Sequence, residues 1–207
     1  MTYPRKVNLP KEVTPELAYF IGAILGDGSI KTPIRRNKGG YYWEVSIACN
    51  QDYSRIARKI IWDLFALEPV VWKDKRKRDC YQVNIYSKEL HNYLTDYLNL
   101  HPGKKAGKMP WPEKCISSQD LFKNFLAGLM DTDGYVGKKY LGLVQKDKAF
   151  LEKIKKTASD IMGIEFNGPN VNRKIDGKIV GWIISLSKKE AMTTFLNEVP
   201  LKYKKLP

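Results

Sequence analysis

Cysteine and histidine are scarce and scattered in this sequence of 207 residues. The three cysteines, Cys49, Cys80 and Cys115, form no CxxC pair, and the two histidines, His91 and His101, lack metal-ligand spacing. An odd, dispersed set of cysteines argues against a disulfide framework or a zinc site and favours a reducing compartment. We therefore expect an intracellular protein, in the cytoplasm of a prokaryote or in an organelle.

Long apolar stretches are also absent. No run approaches the ~20 residues that a transmembrane helix needs. The amino terminus, MTYPRK, has no apolar segment of the kind found in secretory signals. We therefore expect neither export nor a membrane partner.

Acidic residues are few relative to basic ones. Lys and Arg total 36 against 22 Asp and Glu, which gives a formal net charge of +14. The surplus is clustered in short runs at residues 35–38, 73–78, 138–139 and 173–174. Because clustered positive charge gains counterion-release free energy on phosphate backbones, the composition favours a polyanion as partner.

Two short segments of the chain are nearly alike. FIGAILGDG, residues 20–28, and LAGLMDTDG, residues 126–134, are apolar runs that contain a glycine and end in aspartate followed by glycine. Asp27 aligns with Asp133, an offset of 133 − 27 = 106 residues. Each segment predicts a buried helix, the first capped near Thr14 and ending near Leu25, the second capped by Ser117 or Ser118 and ending near Met130.

The small residues of the two segments predict that these helices cross closely. Gly22 and Gly26 lie on one face of the first helix, and Gly128 and Thr132 hold the matching positions in the second. Glycine permits a close backbone approach that larger side chains block. The arrangement would bring the carboxyl ends of both helices together, where each carries an acidic residue.

An aspartate at a helix C-terminus meets the negative end of the helix dipole, which costs roughly 0.3–1 kcal/mol. The recurrence of this placement at Asp27 and Asp133 indicates that bound cations offset the cost. Asp131 has only Leu25 as its counterpart, so we interpret Asp131 as a structural cap or ion-pair partner.

The repeat extends beyond the two segments. In each half a strand, 41–48 or 140–144, leads to an aspartate that we expect to cap the next helix, Asp52 or Asp147. Two further strands and a final helix, which opens at Ser87 or Ser187, complete each half. The first half alone carries a basic, glycine-rich hairpin around residues 31–41.

The repeat therefore predicts an α+β protein with two αββαββα subdomains related by pseudo-two-fold symmetry. The predicted halves are residues 1–100 and 117–207. A linker rich in Pro, Gly and Lys joins them at residues 101–116.

On these two motifs and the element order that follows them, the chain resembles the single-chain, double-motif LAGLIDADG homing endonucleases from about residue 14 to residue 202. The resemblance implies that the motif helices form the subdomain interface and that the two antiparallel sheets form a DNA-binding saddle. It implies an intron-encoded monomer that makes double-strand breaks at a long pseudo-palindromic or asymmetric DNA site, in the process of intron homing.

The resemblance also implies a metal-dependent phosphodiester hydrolase. Mg²⁺, or Mn²⁺, would be held by Asp27 and Asp133 together with the backbone carbonyls of Gly26 and Thr132. Such ions lower the pKa of water and neutralise charge on the phosphate. Each site would cut one strand of the duplex.

Family members carry a peripheral polar residue, often Lys or Gln, at the end of the strand before the middle helix. Lys146 lies there in the second half, beside Gln145, whereas Asn50 and Gln51 hold the place in the first. The two sites are therefore predicted to be chemically unequal. These four residues also suit a second role, as polar strand ends that cap the next helix.

DNA contacts are expected along the strands and hairpins of both halves. In the strand at 81–85, Val83 and Ile85 would face the core while Gln82 and Asn84 face the major groove. Basic and amide side chains on the hairpins, and near the catalytic centre, complete the predicted surface: Lys31, Arg35, Arg36, Lys38, Lys73, Lys75, Arg76, Arg78, Lys138, Lys139, Asn170, Asn172, Arg173, Lys174 and Lys178.

Two other functions fit the same charge and fold. An RNA-binding intron maturase would use the basic surface on intron RNA, and a DNA-binding regulator would bind without cutting. Neither needs both carboxylates, and both Asp27 and Asp133 are present. An intein-borne enzyme is not expected, because no protein-splicing sequence flanks the motifs.

Overall fold

The computed structural model describes residues 7–35, 40–75, 78–103 and 108–205. The N-terminal half forms, in chain order, α1 (Pro15–Leu25), β1 (Gly28–Ile30), β2 (Ile34–Arg35), β3 (Tyr41–Tyr42), β4 (Glu44–Cys49), α2 (Gln51–Phe65), β5 (Val70–Lys73), β6 (Tyr81–Tyr86) and α3 (Lys88–Asn92). Helix α3 continues as one π-helical turn, Tyr93–Tyr97.

The C-terminal half repeats the order. After a 3₁₀ turn, Glu113–Ile116, it forms α4 (Gln119–Asp133), β7 (Gly134–Val136), β8 (Leu141–Gln145), α5 (Lys148–Met162), β9 (Asn167–Ile175), β10 (Lys178–Leu186) and α6 (Lys189–Glu198). The predicted αββαββα repeat is confirmed, while the bounds of the linker stay a prediction. No helix within the described ranges is long and apolar enough to span a bilayer.

The two halves have the same sheet topology. The sheet orders are β1-β4-β6-β5 and β7-β8-β10-β9, and all pairings are antiparallel. Val83 and Ile85 are buried, as the alternation along their strand predicts. The small β2–β3 pair is the described part of the predicted additional hairpin, and residues 36–39 at its tip lie outside the described residues.

The glycine that ends each motif is the first residue of a strand. Gly28 begins β1 and pairs with Ile47, and Gly134 begins β7 and pairs with Leu143. The chain therefore passes directly from a buried helix into the edge of a sheet. The aspartate that precedes each glycine lies at this junction.

Several helix ends differ from the prediction. The cap of α2 is Asn50, whose side chain accepts a hydrogen bond from Tyr53 N at 2.9 Å, whereas Asp52 lies in the first turn and pairs with Arg55. The cap position of α6 is Lys188, so Ser187 does not open that helix. Asp147 caps α5 as predicted, through Phe150 N at 3.2 Å.

Helix α4 also extends three residues past its predicted end near Met130, to Asp133. Its Thr132 hydroxyl donates to the carbonyls of Gly128 and Leu129, within the last helical turn. In α1 the matching position is Gly26, whose backbone leaves the helical region. Asp133 is therefore the last residue of its helix, while Asp27 follows the end of its own.

Helices α1 and α4 are in backbone contact through their glycines. A Cβ atom placed on Gly22 would lie 2.1 Å from Phe125 O and 2.8 Å from Leu129 N. A Cβ on Gly128 would lie 1.9 Å from Tyr19 O and 2.9 Å from Ala23 N. These two environments are related by the repeat offset, so the pseudo-two-fold axis passes between the helices.

The carboxyl-terminal segment, residues 200–205, is bound to the end of α4 through Asp131. This buried carboxylate accepts hydrogen bonds from the backbone N–H groups of Lys202 at 2.7 Å, Tyr203 at 3.1 Å and Lys204 at 2.9 Å. It also accepts one from the Tyr19 hydroxyl at 2.7 Å. The structural role predicted for Asp131 is thus an anchor for backbone N–H donors.

Adding a methyl group at either crossing glycine should disrupt the subdomain interface. We expect Gly22→Ala and Gly128→Ala each to lower the free energy of unfolding by at least about 3 kcal/mol, because the clash is with backbone that cannot rotate away. Chemical denaturation monitored by circular dichroism measures this. Gly181→Ala is the matched control, since its Cβ would have no neighbour closer than 3.8 Å. Equal stability of all three variants would contradict the close crossing.

Removing the Asp131 carboxylate should release the carboxyl-terminal segment. We expect Asp131→Ala to cost about 3 kcal/mol or more, because several hydrogen-bond donors lose a charged acceptor. Trypsin should then cleave after Lys202 or Lys204 faster than in the parent protein. Asp52→Ala, an exposed carboxylate in an ion pair with Arg55, should change stability by less than about 0.5 kcal/mol.

Candidate active site

The carboxyl ends of α1 and α4 meet at the acidic residues of the two motifs. A Cβ on Gly26 would lie 2.0 Å from the Thr132 hydroxyl oxygen and 3.4 Å from Asp133 Oδ2. Asp27 and Asp133 line one cavity of about 640 Å³, together with Gly26. The fold therefore brings together two carboxylates that lie far apart in the sequence.

The larger cavity lies on the side of the second half. Gln145 at the end of β8 is buried and donates a hydrogen bond from Nε2 to Asp133 Oδ2, which fixes that carboxylate. Lys146 is exposed and lines the same cavity, as do Asn172 and Arg173 of β9. Four of the predicted site and DNA-contact residues thus share a cavity with the carboxylate pair.

A smaller cavity of about 240 Å³ lies on the other side of the pair. It is lined by Asp27, Cys49, Asn50, Tyr53, Asp131, Thr132, Tyr203 and Lys204. By the pairing of Ile47 with Gly28 and of Leu143 with Gly134, Cys49 and Asn50 hold the places that Gln145 and Lys146 hold in the larger cavity, so the two cavities are related by the repeat. Asn50 caps α2 and donates to the Tyr203 hydroxyl, which makes its contacts structural.

Lys204 places an ammonium group at this junction, a position that sequence reasoning missed. Its Nζ donates to the carbonyl oxygens of Met130 and Thr132 at 2.9 Å each, and to that of Gly134. Burial lowers the pKa of Lys204, while the carboxylates of Asp131, Asp27 and Asp133 act to raise it. Residues 202–205 have the sequence KYKK, and no local pattern distinguishes Lys204 from the lysines beside it.

Other ionisable groups near the pair are held neutral. Burial raises the pKa of the Cys49 thiol to about 12, and the nearby Asp27 carboxylate adds to the effect. The pKa of the Tyr53 hydroxyl is also raised by burial. Neither group is therefore charged at neutral pH, and the charge of the two cavities comes from the aspartates, the lysines and Arg173.

Some predicted catalytic residues lie outside the two cavities. Gln51 is the first residue of α2 and its side chain is exposed. It lines neither cavity among the described residues. Lys138 and Lys139 are exposed beyond β7, and they too are absent from both linings.

Two predicted DNA contacts are engaged within the protein. Lys31 Nζ lies 2.6 Å from the buried Glu44 carboxylate, and the pKa of Lys31 is raised mainly by that hydrogen bond. Asn84 is buried and donates to the Tyr86 hydroxyl at 3.1 Å, while its Oδ1 has no hydrogen-bond partner among the described residues. Asn84 thus lies deeper than expected for a residue that faces a groove.

The remaining predicted DNA-contact residues lie on the strands and turns of both halves. Those with exposed side chains are Arg35, Lys73, Lys75, Arg78, Asn170, Asn172, Arg173, Lys174 and Lys178, while Gln82 is half-buried. Arg36, Lys38 and Arg76 lie outside the described residues. Nucleic-acid contact by any of these side chains stays a prediction.

The donor set at the motif ends fits a hard divalent cation. Two carboxylates and the nearby carbonyls of Gly26 and Thr132 are oxygen ligands of the kind that Mg²⁺ and Ca²⁺ prefer. The described residues contain no cluster of three or more His, Cys, Asp or Glu that could hold an ion. Water molecules would complete the coordination of such an ion, as is common for Mg²⁺ in proteins.

The C-terminal half of the chain matches a known protein family. Residues 120–200 match the LAGLIDADG-like domain. An uncharacterised protein of Methanocaldococcus jannaschii is 26% identical over 141 residues, 67% of this chain and 46% of that protein. The glutamine–fructose-6-phosphate aminotransferase of the same organism is 28% identical over 158 residues, 73% of this chain. The chain spans about half the length of the first protein and 13% of the second.

Solved structures show the same fold across nearly the whole chain. The homing endonuclease I-DmoI in complex with DNA and Mn has a TM-score of 0.64 at 18% identity, over 92% of this chain and 98% of that one. Full-length DUF199/WhiA from Thermatoga maritima has a TM-score of 0.62 at 14% identity, over 94% of this chain and 58% of that one. At these identities the likeness shows the fold. Residues 120–200 therefore match a LAGLIDADG-like domain, and the likeness to I-DmoI shows that nearly the whole chain has the same fold.

Proposed function

We propose that this protein is a site-specific endonuclease that makes double-strand breaks in DNA with a divalent metal ion. The observation that carries the proposal is the meeting of Asp27 and Asp133 at the crossing of α1 and α4, beside a cavity lined by Lys146 and Arg173. A protein that only binds DNA has no need of two acidic residues at the negative ends of two helix dipoles. Similarity to I-DmoI, which is described in complex with its target DNA and with Mn or Mg, supports the same conclusion.

Each residue of the site has a separate proposed role in the reaction. Asp27 and Asp133 would hold the metal, with the carbonyls of Gly26 and Thr132, and the bound metal would activate water and stabilise charge on the phosphate. Gln145 orients the Asp133 carboxylate through its amide N–H. Lys146, exposed at the rim of the cavity, can donate to a scissile phosphate oxygen.

The surface around the site suits a long duplex. Arg173 and Asn172 extend from the larger cavity along β9, and Lys174 and Lys178 continue the exposed hairpin outwards. Arg35 and Lys73 give the first half a comparable exposed basic surface. Because the halves differ in sequence, we propose that the chain acts as a monomer on an asymmetric target, as an intron-encoded homing enzyme does.

Cleavage of a randomised duplex library tests the proposal. We expect double-strand breaks at a discrete site with Mg²⁺ and none with EDTA. An Asp27→Asn/Asp133→Asn variant should bind the same site but lose cleavage by at least about 100-fold, because the metal ligands are removed. Asp63→Asn, which alters an exposed carboxylate paired with Lys59, is the control and should cleave normally.

Two outcomes of the same experiment would overturn the endonuclease. Selective binding of DNA without cleavage at any metal concentration would identify a DNA-binding regulator. Failure to select DNA, together with binding of a structured intron RNA, would identify a maturase. In either case Asp27 and Asp133 would have a role other than catalysis.

The two strands should depend differently on Lys146. The first half has Asn50 and Gln51 at the corresponding strand end, so Lys146→Met removes a positive charge from one cavity only. We expect one strand to be cut about 100-fold more slowly while the other is little affected, so that nicked DNA accumulates. Duplexes labelled separately on each strand measure this after rapid quenching. Lys148→Met, which lies on α5 outside the cavity, is the control, and equal slowing of both strands would contradict the assignment.

A further inference from the structure

The outer face of the second sheet, which is turned away from the core, opens onto the candidate active site. Along β8, Leu143 is fully buried in the core, whereas Val144 has the opposite orientation and lines the larger cavity together with Asp133. Val144 pairs with Ile183 of β10, which is half-buried on the same face. This face is therefore continuous with the site that contains the carboxylate pair.

Two tyrosines extend this outer face. Tyr135 of β7 and Tyr140, immediately before β8, are 51% and 40% exposed, and their ring centroids lie 4.9 Å apart. A Cβ atom on Gly142 would lie 2.9 Å from Ile183 Cδ1 and 3.3 Å from a ring carbon of Tyr140, so both side chains lie over this glycine. We call the surface formed by these side chains the apolar platform; its members are Tyr135, Tyr140, Val144 and Ile183.

The matching face of the first sheet is polar. The strand pairings of the two halves align the four platform residues, in order, with Ser29, Glu44, Ala48 and Gln82. Three of these four side chains can form hydrogen bonds, and Glu44 pairs with Lys31 at 2.6 Å. Gln82, at the position of Ile183, presents a half-buried amide. The two sheets therefore present different chemistry on faces that the fold makes equivalent.

Basic side chains flank the apolar platform. Lys138 and Lys139 are exposed in the turn between β7 and β8, and Lys146 and Arg173 are exposed where they line the larger cavity. An apolar surface with a basic rim fits the major groove of DNA, where phosphates border the groove and thymine methyl groups are apolar features of the base edges. The net charge of +14 favours the same partner.

We infer that the apolar platform recognises thymine methyl groups in the major groove, so that the half-site bound by the second half is specified at these positions by apolar contact. The inference rests on the proposed function for the identity of the partner as duplex DNA. In the first half, Gln82 replaces Ile183, and an amide recognises a base edge by hydrogen bonds, above all that of adenine. The target is therefore asymmetric in the kind of base contact as well as in its sequence.

Replacement of thymine by uracil tests the inference, because it removes only the methyl group. Uracil is placed, one position at a time, at each thymine of the site selected from the randomised library. Binding is measured by fluorescence anisotropy in EDTA, so the readout does not depend on cleavage. At the thymines that the platform contacts, we expect uracil to weaken binding by the parent protein about fourfold, which corresponds to one buried methyl group.

Two variants of the platform identify the side chains responsible. Ile183→Thr keeps a β-branched side chain but loses apolar surface, so the effect of uracil at one thymine should disappear in a double-mutant cycle. Tyr140→Ser changes an exposed side chain and gives the same test at a neighbouring thymine if Ile183→Thr is unstable. Ile56→Thr is the control, a half-buried position on α2 outside both sheets, and should keep every effect of uracil.

If no thymine shows an effect of uracil that depends on Ile183 or Tyr140, the inference is overturned. Metal-dependent cleavage by the parent would still stand in that case, so the two failures are distinguishable. Binding of a discrete site with the expected effects of uracil, but without cleavage, would remove the endonuclease and support the platform. A parent that selects no DNA and forms a dimer that Tyr140→Ser abolishes would overturn both, because a second copy of the chain would then cover the platform.

Discussion

The backbone contact between α1 and α4 determines the rest of the structure. Gly22 and Gly128 each face the backbone of the opposite helix at distances that exclude a Cβ atom. Residues 17–25 of α1 and 124–131 of α4 are buried, and their apolar side chains belong to the hydrophobic core. Because both helices end at the same place, the acidic residue after each apolar run is carried to one point. A close crossing thus creates the packing and the site together.

The crossing also concentrates negative charge, and the protein compensates for it in different ways on its two sides. Asp131 is neutralised by backbone N–H groups and by the Tyr19 hydroxyl. Asp133 accepts from the amide of Gln145 on one side, and Lys204 supplies a positive charge on the other. A partly buried carboxylate pair requires such partners, because charges removed from water are costly unless paired.

The pseudo-symmetry of the fold does not extend to the chemistry. Cys49 and Gln145 hold matching places in the two sheets, yet Cys49 is a thiol that burial keeps neutral while Gln145 donates a hydrogen bond to the candidate metal ligand Asp133. Lys146 has no charged counterpart at the strand end of the first half, and Lys204 reaches that half by a different route. The two halves of a single chain can diverge in this way, because a substitution in one half leaves the sequence of the other half unchanged.

The sequence by itself determined the repeated αββαββα order, the crossing of the motif helices and the pairing of Asp27 with Asp133, because each follows from local periodicity and a fixed offset. The sequence also identified Gln145 and Lys146 as candidate site residues, because they lie at the end of the strand that precedes the middle helix. The sequence did not determine that Asn50 rather than Asp52 caps α2, since both residues suit a cap and the strand geometry selects one. The sequence also did not predict that Gln51 is exposed, that Asn84 donates a hydrogen bond to the Tyr86 hydroxyl, or that Lys204 donates to carbonyls at the end of α4. The exposure of Gln51 and the burial of Asn84 depend on how whole elements pack, and Lys204 lies 72 residues from Thr132, so only the tertiary structure decides them.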